Sequence, residues 1–300
     1  MRYVARSEGR RRGNVAVNRD NDGWGGVRES LDATADRFGE LVRTAQHPAA
    51  MATPHWSIVD AAAHVVAIAA LYTSIVRPGE VPSALSVPAL EDRLMATTID
   101  NVSDLNDLVM RHFTERDPET LAQRLRADVN QILGTTENVD PATPVPWLGG
   151  SQLPVAAVLA HLLNELLIHG WDIARVARLP WSIPPRDAAL YFDLFLVGLL
   201  TNDYGRLLDS AEPVRAGRIA VEFRSAYTST TALVLRDGRV SVEEPGRDLD
   251  VRVSFDPPTM NLMMFGRINR PRAVLTRKIV IGGRRPWLLP RFLRTVRAPG

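Results

Sequence analysis

The stretch His161-Leu-Leu-Asn-Glu165-Leu-Leu-Ile-His169-Gly-Trp171-Asp172 determines how this sequence is interpreted. Its histidines and Glu165 are four residues apart, so on an α-helix they lie one turn above each other on a single face. Leucine and isoleucine occupy most positions between them, and an unpaired carboxylate in such apolar surroundings is costly. A divalent cation removes that cost, because imidazole and carboxylate groups are zinc ligands. The stretch therefore predicts a buried helix that carries part of a metal site.

Helix geometry limits which side chains bind one ion together. His161 and His169 are separated by roughly 12 Å along a helix axis, whereas zinc ligands each approach to about 2.0–2.2 Å. The helix therefore supplies two neighbouring ligands, and a third must come from another helix. His64 is the best candidate, because it lies within the apolar stretch from Ala61 to Val76, where a solvated histidine is not expected.

An alternative interpretation needs no metal. Histidines on helices are commonly surface groups or hydrogen-bonded core residues, and Asp60 with His64 or Glu165 with its flanking histidines can form i,i+4 pairs. The remaining histidines lie in loops or in polar stretches of the sequence and are not predicted to be ligands; they are His47, His55 and His112.

Apolar periodicity predicts an N-terminal bundle of at least four long helices, covering residues 24–210. The predicted helices span residues 27–45, 57–76, 104–113, 118–133, 154–179 and 185–208. Ser57 and Asp60 are spaced as a capping box at the start of the second helix. Residues 135–150 are rich in proline, glycine and threonine and predict a long loop.

The pattern changes after Pro213, where alternating apolar residues predict strands. Asp237-Gly238 lies between two apolar runs and is typical of a hairpin turn. Pro257 and Pro258 are expected to end one strand and begin a helix. Residues 211–300 thus predict a small α+β domain, and the fold class is a helical bundle followed by that domain.

Composition excludes several classes of protein. The chain has no cysteine, so it forms no disulfide or thiolate metal site, and a nucleophilic sulfur would have to come from a bound small molecule. The apolar stretch with His64 is interpreted as a buried helix and not as a membrane span. Residues 1–23 are expected to form a disordered basic tail, without the aromatic or helical pattern of a nucleic-acid-binding arm. No secretory signal is recognised, and a cytoplasmic location is expected.

Two motifs resemble a known family. Trp56-Ser-Ile-Val-Asp-Ala-Ala-Ala-His64 is similar to the segment that carries the first metal histidine in the mycothiol-dependent maleylpyruvate isomerase family. Glu165-x-x-x-His169-Gly-Trp171-Asp172 resembles the second metal segment of that family. The resemblance implies a DinB-like helical domain whose ligands are His64, Glu165 and His169, with zinc or another divalent metal. His161 lies outside the motif, which implies a supporting or structural role.

The C-terminal region resembles a sterol carrier protein type 2 domain. The similar segments are Phe255-Asp256-Pro257-Pro258, Met264-Phe265-Gly266-Arg267 and Gly283-Arg284-Arg285-Pro286-Trp287. Such domains can offer an apolar cavity to lipid-like ligands. The combination of the two domains is similar to that of uncharacterised actinobacterial proteins grouped with the isomerase.

Together the resemblances imply a metal-dependent enzyme that uses mycothiol, acting as an isomerase or thiol transferase on a small electrophilic substrate. Arg267 and Arg272 are candidates for holding a substrate carboxylate, and Asp172 for orienting a ligand or capping the local backbone. The competing class is a carrier of lipid, sterol or acyl-CoA, in which Met260, Met263, Met264 and Phe265 line a cavity instead of packing in a core. The oligomeric state is left open.

Overall fold

The computed structural model describes residues 20–77, 87–209 and 216–296. Its first part is helical, with two short strands inserted before the longest buried helix. The elements, in chain order, are α1 (Asp20–Thr44), α2 (Ile58–Val76), α3 (Leu90–Ala96), α4 (Val102–His112), α5 (Pro118–Thr135), β1 (Pro144–Pro146), β2 (Gln152–Pro154), α6 (Val155–Ala177), α7 (Pro185–Leu190), a π-turn (Tyr191–Leu196) and α8 (Val197–Thr201).

Local sequence signals set the beginnings of the principal helices. Ser57 caps α2 and accepts a hydrogen bond from the Asp60 backbone, while the Asp60 carboxylate accepts from the Ser57 backbone. The predicted capping box is therefore confirmed, and it satisfies two amide groups that the first turn would otherwise leave unpaired. Asp117 caps α5 in a similar way, with Pro118 in the first turn.

Helices α1, α2, α5 and α6 pack together as a four-helix bundle, which confirms the predicted architecture of the first part. Helix α2 is long and apolar enough to cross a membrane, but 67% of its most apolar window is buried inside the molecule. Helix α6 is buried along almost its entire length. Both helices are thus core elements of the bundle, and His64 and Tyr72 of α2 face His169 and His161 of α6 in its interior.

Gly170 allows an unusually close approach to α6. A Cβ atom at this position would lie 2.2 Å from the indole ring of Trp181. The same indole donates a hydrogen bond to the Leu167 carbonyl and packs on Phe38 of α1. The glycine that follows His169 in the sequence is therefore explained by packing, and it fixes the loop after α6 against the bundle.

The second part contains a five-stranded sheet with helices against one face. Its elements are β3 (Arg218–Arg224), β4 (Thr231–Arg236), β5 (Arg239–Glu243), β6 (Val251–Phe255), α9 (Pro257–Met264), α10 (Arg270–Leu275), β7 (Ile279–Gly282), a 3-10 turn (Pro286–Leu288) and α11 (Leu289–Thr295). The strand order is β5-β4-β3-β6-β7; β3 and β6 are parallel, and the other neighbours are antiparallel. Strand β7 is therefore an edge strand.

The two parts contact each other through the core, where Phe192 of the π-turn packs on Phe223 and Phe255, and through α9 and the segment after it. The Asn261 side chain is buried and donates hydrogen bonds to the Asn164 side chain on α6 and to the Ala188 carbonyl on α7. Arg267 follows α9 and reaches Asp172 on α6. These polar contacts fix the position of the sheet region relative to the helix that carries His169.

Most predicted elements are present, and the differences have local causes. The predicted helix over 185–208 is interrupted by the π-turn and ends at Thr201, after which the chain turns at Gly205, whose φ is positive. The predicted loop over 135–150 includes β1 and a 3-10 turn at Leu148–Gly150. The short helices α3 and α10 were not predicted, since their apolar patterns are too short to recognise.

The predicted domain boundaries are only partly covered by the structure. Residues 1–19 of the expected basic tail lie outside the described residues, and the four residues from Asp20 to Gly23 belong to α1. The predicted boundary after residue 210 falls in the segment 210–215, which is also outside them.

Candidate metal centre

The centre lies between one stripe of α2 and one stripe of α6. On α2, His64, Ile68 and Tyr72 are four residues apart and share a face. On α6, His161 and His169 are likewise separated by eight residues. His64 lies near His169, and Tyr72 lies near His161, so the two stripes run in opposite directions at matching spacing. Antiparallel packing therefore aligns a pair of polar positions at each end.

At one end the structure brings His64, Glu165 and His169 together. One ligand atom of each residue lies within 4.8 Å of the others, and all three residues are buried. Glu165 Oε2 is 3.6 Å from His64 Nε2 and 3.4 Å from His169 Nε2. These separations are too long for good hydrogen bonds. They match the spacing of roughly 3.3–3.6 Å that a tetrahedral ion with bonds of about 2.0–2.2 Å imposes between its ligands.

Two of the three groups, His64 and Glu165, have the charge states that a cation site requires. Burial lowers the pKa of His64, and the Glu165 carboxylate opposes only part of this effect. Burial tends to raise the pKa of Glu165, but the neighbouring imidazoles of His169 and His64 outweigh it and hold this pKa well below its usual value. A neutral imidazole and an ionised carboxylate are the forms that bind a metal.

His169 is supported from its other side. Its Nδ1 lies 3.3 Å from Asp172 Oδ2, and it has no better-placed hydrogen-bond partner among the described residues. Burial lowers the pKa of His169, but the carboxylates of Asp172 and Glu165 outweigh burial and raise it overall. A carboxylate behind a ligating histidine is a common arrangement in zinc sites, since it fixes the ring and its tautomer.

Asp172 is held in turn by the second part of the molecule. Arg267 donates to it from Nε, at 3.0 Å, and from Nη2, at 2.6 Å, as a two-point ion pair. The Nη1 group of Arg267 donates to the Phe265 carbonyl. Burial tends to raise the pKa of Asp172, but His169 and Arg267 lower it overall. The line His169–Asp172–Arg267 therefore connects the candidate metal centre to the sheet region.

The other end of the stripes forms a different arrangement. Trp147 Nε1 donates to the Tyr72 hydroxyl at 3.0 Å, and the same hydroxyl lies 3.0 Å from His161 Nδ1. An indole N–H only donates, so the Tyr72 oxygen accepts from it. We assign the phenolic proton as the donor to His161 Nδ1, which places the proton of the neutral ring on Nε2. Burial lowers the pKa of His161 and so favours the neutral ring.

That Nε2 atom faces the second oxygen of the central carboxylate, with 3.6 Å between His161 Nε2 and Glu165 Oε1. Glu165 thus presents Oε2 to His64 and His169, and Oε1 to an N–H group. The two histidines of α6 therefore lie on different sides of Glu165: His169 belongs to the cluster of ligand atoms, and His161 faces the other carboxylate oxygen.

A cavity of about 200 Å³ opens onto this row of side chains. Its polar wall contains His64, His161, Glu165, His169 and Arg267. Most of the other lining residues are apolar; they include Ile68, Leu71, Leu90, Leu94, Val102, Leu105, Val109 and Phe265. Such a site excludes water around a small ligand and strengthens the electrostatic interactions of its few polar groups.

Trp56 closes the cavity over the histidines. Its ring centroid is 4.4 Å from that of His64 and 5.7 Å from that of His169. The aromatic face restricts the rotamers of both imidazoles and shields them from solvent. The tryptophan at the start of the first motif therefore has a physical role beside the ligands.

The other residues proposed from the sequence to bind a substrate or line a cavity do not all reach the cavity. Arg267 lines the cavity, whereas the exposed Arg272 lies on α10 and is absent from the cavity wall. Phe265 lines the cavity too, while Met260 is buried in the core of the sheet region. The histidines not predicted to be ligands, His47, His55 and His112, are exposed.

Sequence reasoning missed two residues of the site. Tyr72 was detectable, because it continues the four-residue spacing of His64 and Ile68 along α2. Trp147 lies in the proline-rich segment before α6, and no sequence spacing connects it with the site. Only the tertiary structure brings its indole to the Tyr72 hydroxyl.

Comparisons with known proteins agree with the sequence motifs. Residues 27–174 match the family model of the mycothiol maleylpyruvate isomerase N-terminal domain. No curated protein sequence matches the chain. The crystal structure of the mycothiol-dependent maleylpyruvate isomerase is 14% identical, covers 86% of this chain and 90% of that chain, and has a TM-score of 0.44.

Two further solved structures are similar to this chain. A histidine-to-alanine mutant of the same isomerase is 15% identical, with the same coverage and a TM-score of 0.43. A stereoselective inverting sec-alkylsulfatase from Pseudomonas sp. is 13% identical, covers 78% of this chain and 32% of that chain, and has a TM-score of 0.26. The resemblance of residues 211–300 to a sterol carrier protein type 2 domain stays a prediction.

The family model spans α2 and α6 and thereby includes His64, Glu165 and His169, the three residues whose ligand atoms converge. The helical part of this chain therefore belongs to the family of mycothiol maleylpyruvate isomerase N-terminal domains.

Proposed function

We propose that the protein is a metal-dependent enzyme that uses a low-molecular-weight thiol, of the mycothiol type, to transform a small electrophilic substrate by isomerisation or thiol transfer. One observation carries the proposal: three potential metal ligands from two distant segments converge in a buried, largely apolar cavity wall. Family membership of residues 27–174 supports the choice of thiol.

The residues of the centre fit a zinc ion or a similar divalent cation. His64, Glu165 and His169 would hold it, and three protein ligands leave a coordination position open for a small molecule. When bound there, such a cation lowers the pKa of a thiol and supplies thiolate near neutral pH. The chain has no cysteine, so the thiol must come from a cofactor.

The protein residues around the centre bind and orient the reactants. His161 Nε2 lies 3.6 Å from the carboxylate of Glu165, and Asp172 lies 3.3 Å from the ring of His169, so each of these two ligands has a polar neighbour that would support its orientation. Three N–H groups of Arg267 are engaged by Asp172 and Phe265, and the remaining two are available at the cavity wall for a substrate carboxylate. The apolar wall excludes water from the reacting groups.

Elemental analysis tests the metal site directly. The purified protein is expected to contain about one zinc per chain, and His64→Ala should remove it, because a two-ligand site binds far more weakly. His112→Ala, which changes an exposed histidine on α4, is the matched control and should retain the metal. A folded, metal-free wild-type protein that takes up no added zinc would reject the site.

A second experiment tests the thiol. Mycothiol binding to the zinc-loaded protein, measured by calorimetry, should be lost in His64→Ala and retained in His112→Ala. If the protein binds zinc but shows neither mycothiol binding nor mycothiol-dependent turnover, the proposed metal site stands and the proposed thiol chemistry is refuted. The cytoplasmic location and the lipid-carrier alternative remain predictions from the sequence.

A further inference from the structure

The two parts of the chain carry charges of opposite sign. Residues 20–209 contain 13 arginines and lysines against 25 aspartates and glutamates, whereas residues 216–296 contain 15 against 7. Asp256 is the last acidic residue of the chain, and ten basic residues follow it. The positive charge is therefore concentrated in the sheet region and particularly in its last elements.

Exposed apolar side chains lie in the same segment. Residues 270–288, which we call the basic edge, comprise α10, the edge strand β7 and the following 3-10 turn. Within it, Leu275 is 82% exposed and Trp287 is 69% exposed, and Val274, Val280 and Ile281 are also exposed. Val280 and Ile281 are consecutive on β7 and point to opposite faces of the sheet, so at most four of these side chains share one surface. A group of that size is unusual for a surface that contacts only water.

The cations of the basic edge are not all neutralised within the molecule. Lys278 pairs with Asp256, Arg284 with Asp248, and Arg285 with Asp250. A further set of exposed arginines has no acidic partner among the residues that the structure describes: Arg270, Arg272 and Arg277. These three flank Leu275, so unpaired positive charge and exposed apolar surface occur side by side.

We infer that the basic edge is a docking surface for a membrane with anionic lipids, which it contacts peripherally. Such a bilayer presents negative headgroups directly above an apolar layer, and tryptophan and leucine insert at that boundary while arginines remain at the headgroups. The basic edge offers both chemistries within one segment. Helix α2, whose apolar surface is mostly inside the bundle, takes no part in this contact.

Other partners fit the surface less well. A second copy of the chain, paired through the free edge of β7, would bring two sets of unpaired arginines together, and Lys278 beside the strand also disfavours edge pairing. A nucleic acid would satisfy the arginines but would leave Leu275 and Val280 without an apolar partner. An acidic protein is tested by the experiment below.

Vesicle co-sedimentation of the full chain tests the inference. We expect binding to vesicles with about one-third phosphatidylglycerol, at least about tenfold weaker binding to pure phosphatidylcholine, and a similar loss between about 0.1 M and about 0.5 M salt. Arg272→Glu with Arg277→Glu should weaken binding at least about tenfold, because two attractive charges become repulsive. Leu275→Ser with Trp287→Ser should weaken it about tenfold through lost insertion.

The matched control changes the same residue types in the helical part. Arg111→Glu with Met95→Ser alters one exposed arginine on α4 and one exposed apolar residue on α3, and it should leave vesicle binding unchanged. All variants keep the N-terminal arginines, so a difference between them reports the basic edge. Quenching of tryptophan fluorescence by brominated anionic lipids should disappear in Trp287→Phe, a change that retains an apolar ring.

The inference is overturned if the protein ignores anionic vesicles at low salt. It is also overturned if both paired changes on the basic edge bind as the wild type does. Binding to an oligonucleotide or a polyglutamate of equal charge, with no vesicle binding, would assign the surface to a different partner. None of these outcomes depends on the metal content of the protein, so they are independent of the proposed enzymatic function.

Discussion

Two histidines on the same stripe of α6 differ in role because they have different neighbours. His169 lies between two carboxylates, Glu165 and Asp172, and its pKa is raised. His161 lies beneath Tyr72, and burial lowers its pKa. Sequence spacing treats the two residues as equivalent, since each is four positions from Glu165. Spacing alone therefore does not distinguish them: His64 of α2 lies on the side of His169, and Tyr72 of α2 lies on the side of His161.

The largest test of this comparison removes the two kinds of histidine in turn. His169→Ala should abolish stoichiometric zinc, whereas His161→Ala should retain it with a dissociation constant about 10–100-fold higher, because only the support of Glu165 is lost. Competition with a chromophoric chelator measures both values. Equal loss of zinc in the two variants would contradict the distinction between ligand and support.

The packing behind His169 should show the next largest effect. Gly170→Ala normally favours a helix, but here the new methyl group meets the rigid indole of Trp181 at 2.2 Å. We expect unfolding free energy to fall by about 1–3 kcal/mol, measured by denaturant titration. Gly134→Ala, on α5 with open space around its Cβ, is the control and should raise it by up to about 1 kcal/mol. A stabilised Gly170→Ala would show that the indole moves aside.

The His161 end offers a finer test through its tautomer. Tyr72→Phe removes the donor to Nδ1 and leaves the Trp147 indole unpaired, so the zinc dissociation constant should rise about tenfold. Nitrogen NMR of the metal-free wild type should show the His161 proton on Nε2. Tyr191→Phe is the control, because its buried hydroxyl has no hydrogen-bond partner among the described residues and its loss should leave zinc affinity unchanged. A wild-type proton on Nδ1 would refute the assigned hydrogen-bond direction.

The smallest effect concerns a carboxylate that lacks the partners of Glu165. Burial raises the pKa of Asp128 on α5 to about 6, and Arg124 offsets only part of that shift. Because the pKa of Asp128 is higher in the folded than in the unfolded state, its contribution to folding stability is fully present below the ordinary pKa of an aspartate. That contribution is lost as the pH rises through the folded-state pKa of about 6. Asp128→Asn should therefore stabilise the protein by about 1 kcal/mol near pH 7, after allowance for partial exposure, and by nothing near pH 4. An equal gain at both pH values would contradict the assignment.

These contrasts explain how far the sequence could predict the site. The spacing on α6, the apolar setting of His64 and the capping box of α2 rest on local geometry, and the structure has each of them in the predicted place. The separation of ligand from supporting histidine needs Tyr72 and Trp147, and the second of these comes from a segment with no regular spacing. Arg267 was proposed from the sequence for a substrate, but its contact with Asp172 depends on how the sheet region packs on α6.

The packing of the sheet region also limits the freedom of the fold. Asn261 donates hydrogen bonds to α6 and α7, and Arg267 pairs with Asp172 on α6. A change that shifts the sheet region is therefore expected to move the Asp172 carboxylate, which lies 3.3 Å from His169 Nδ1. The surroundings of one candidate metal ligand thus depend on how the two parts pack.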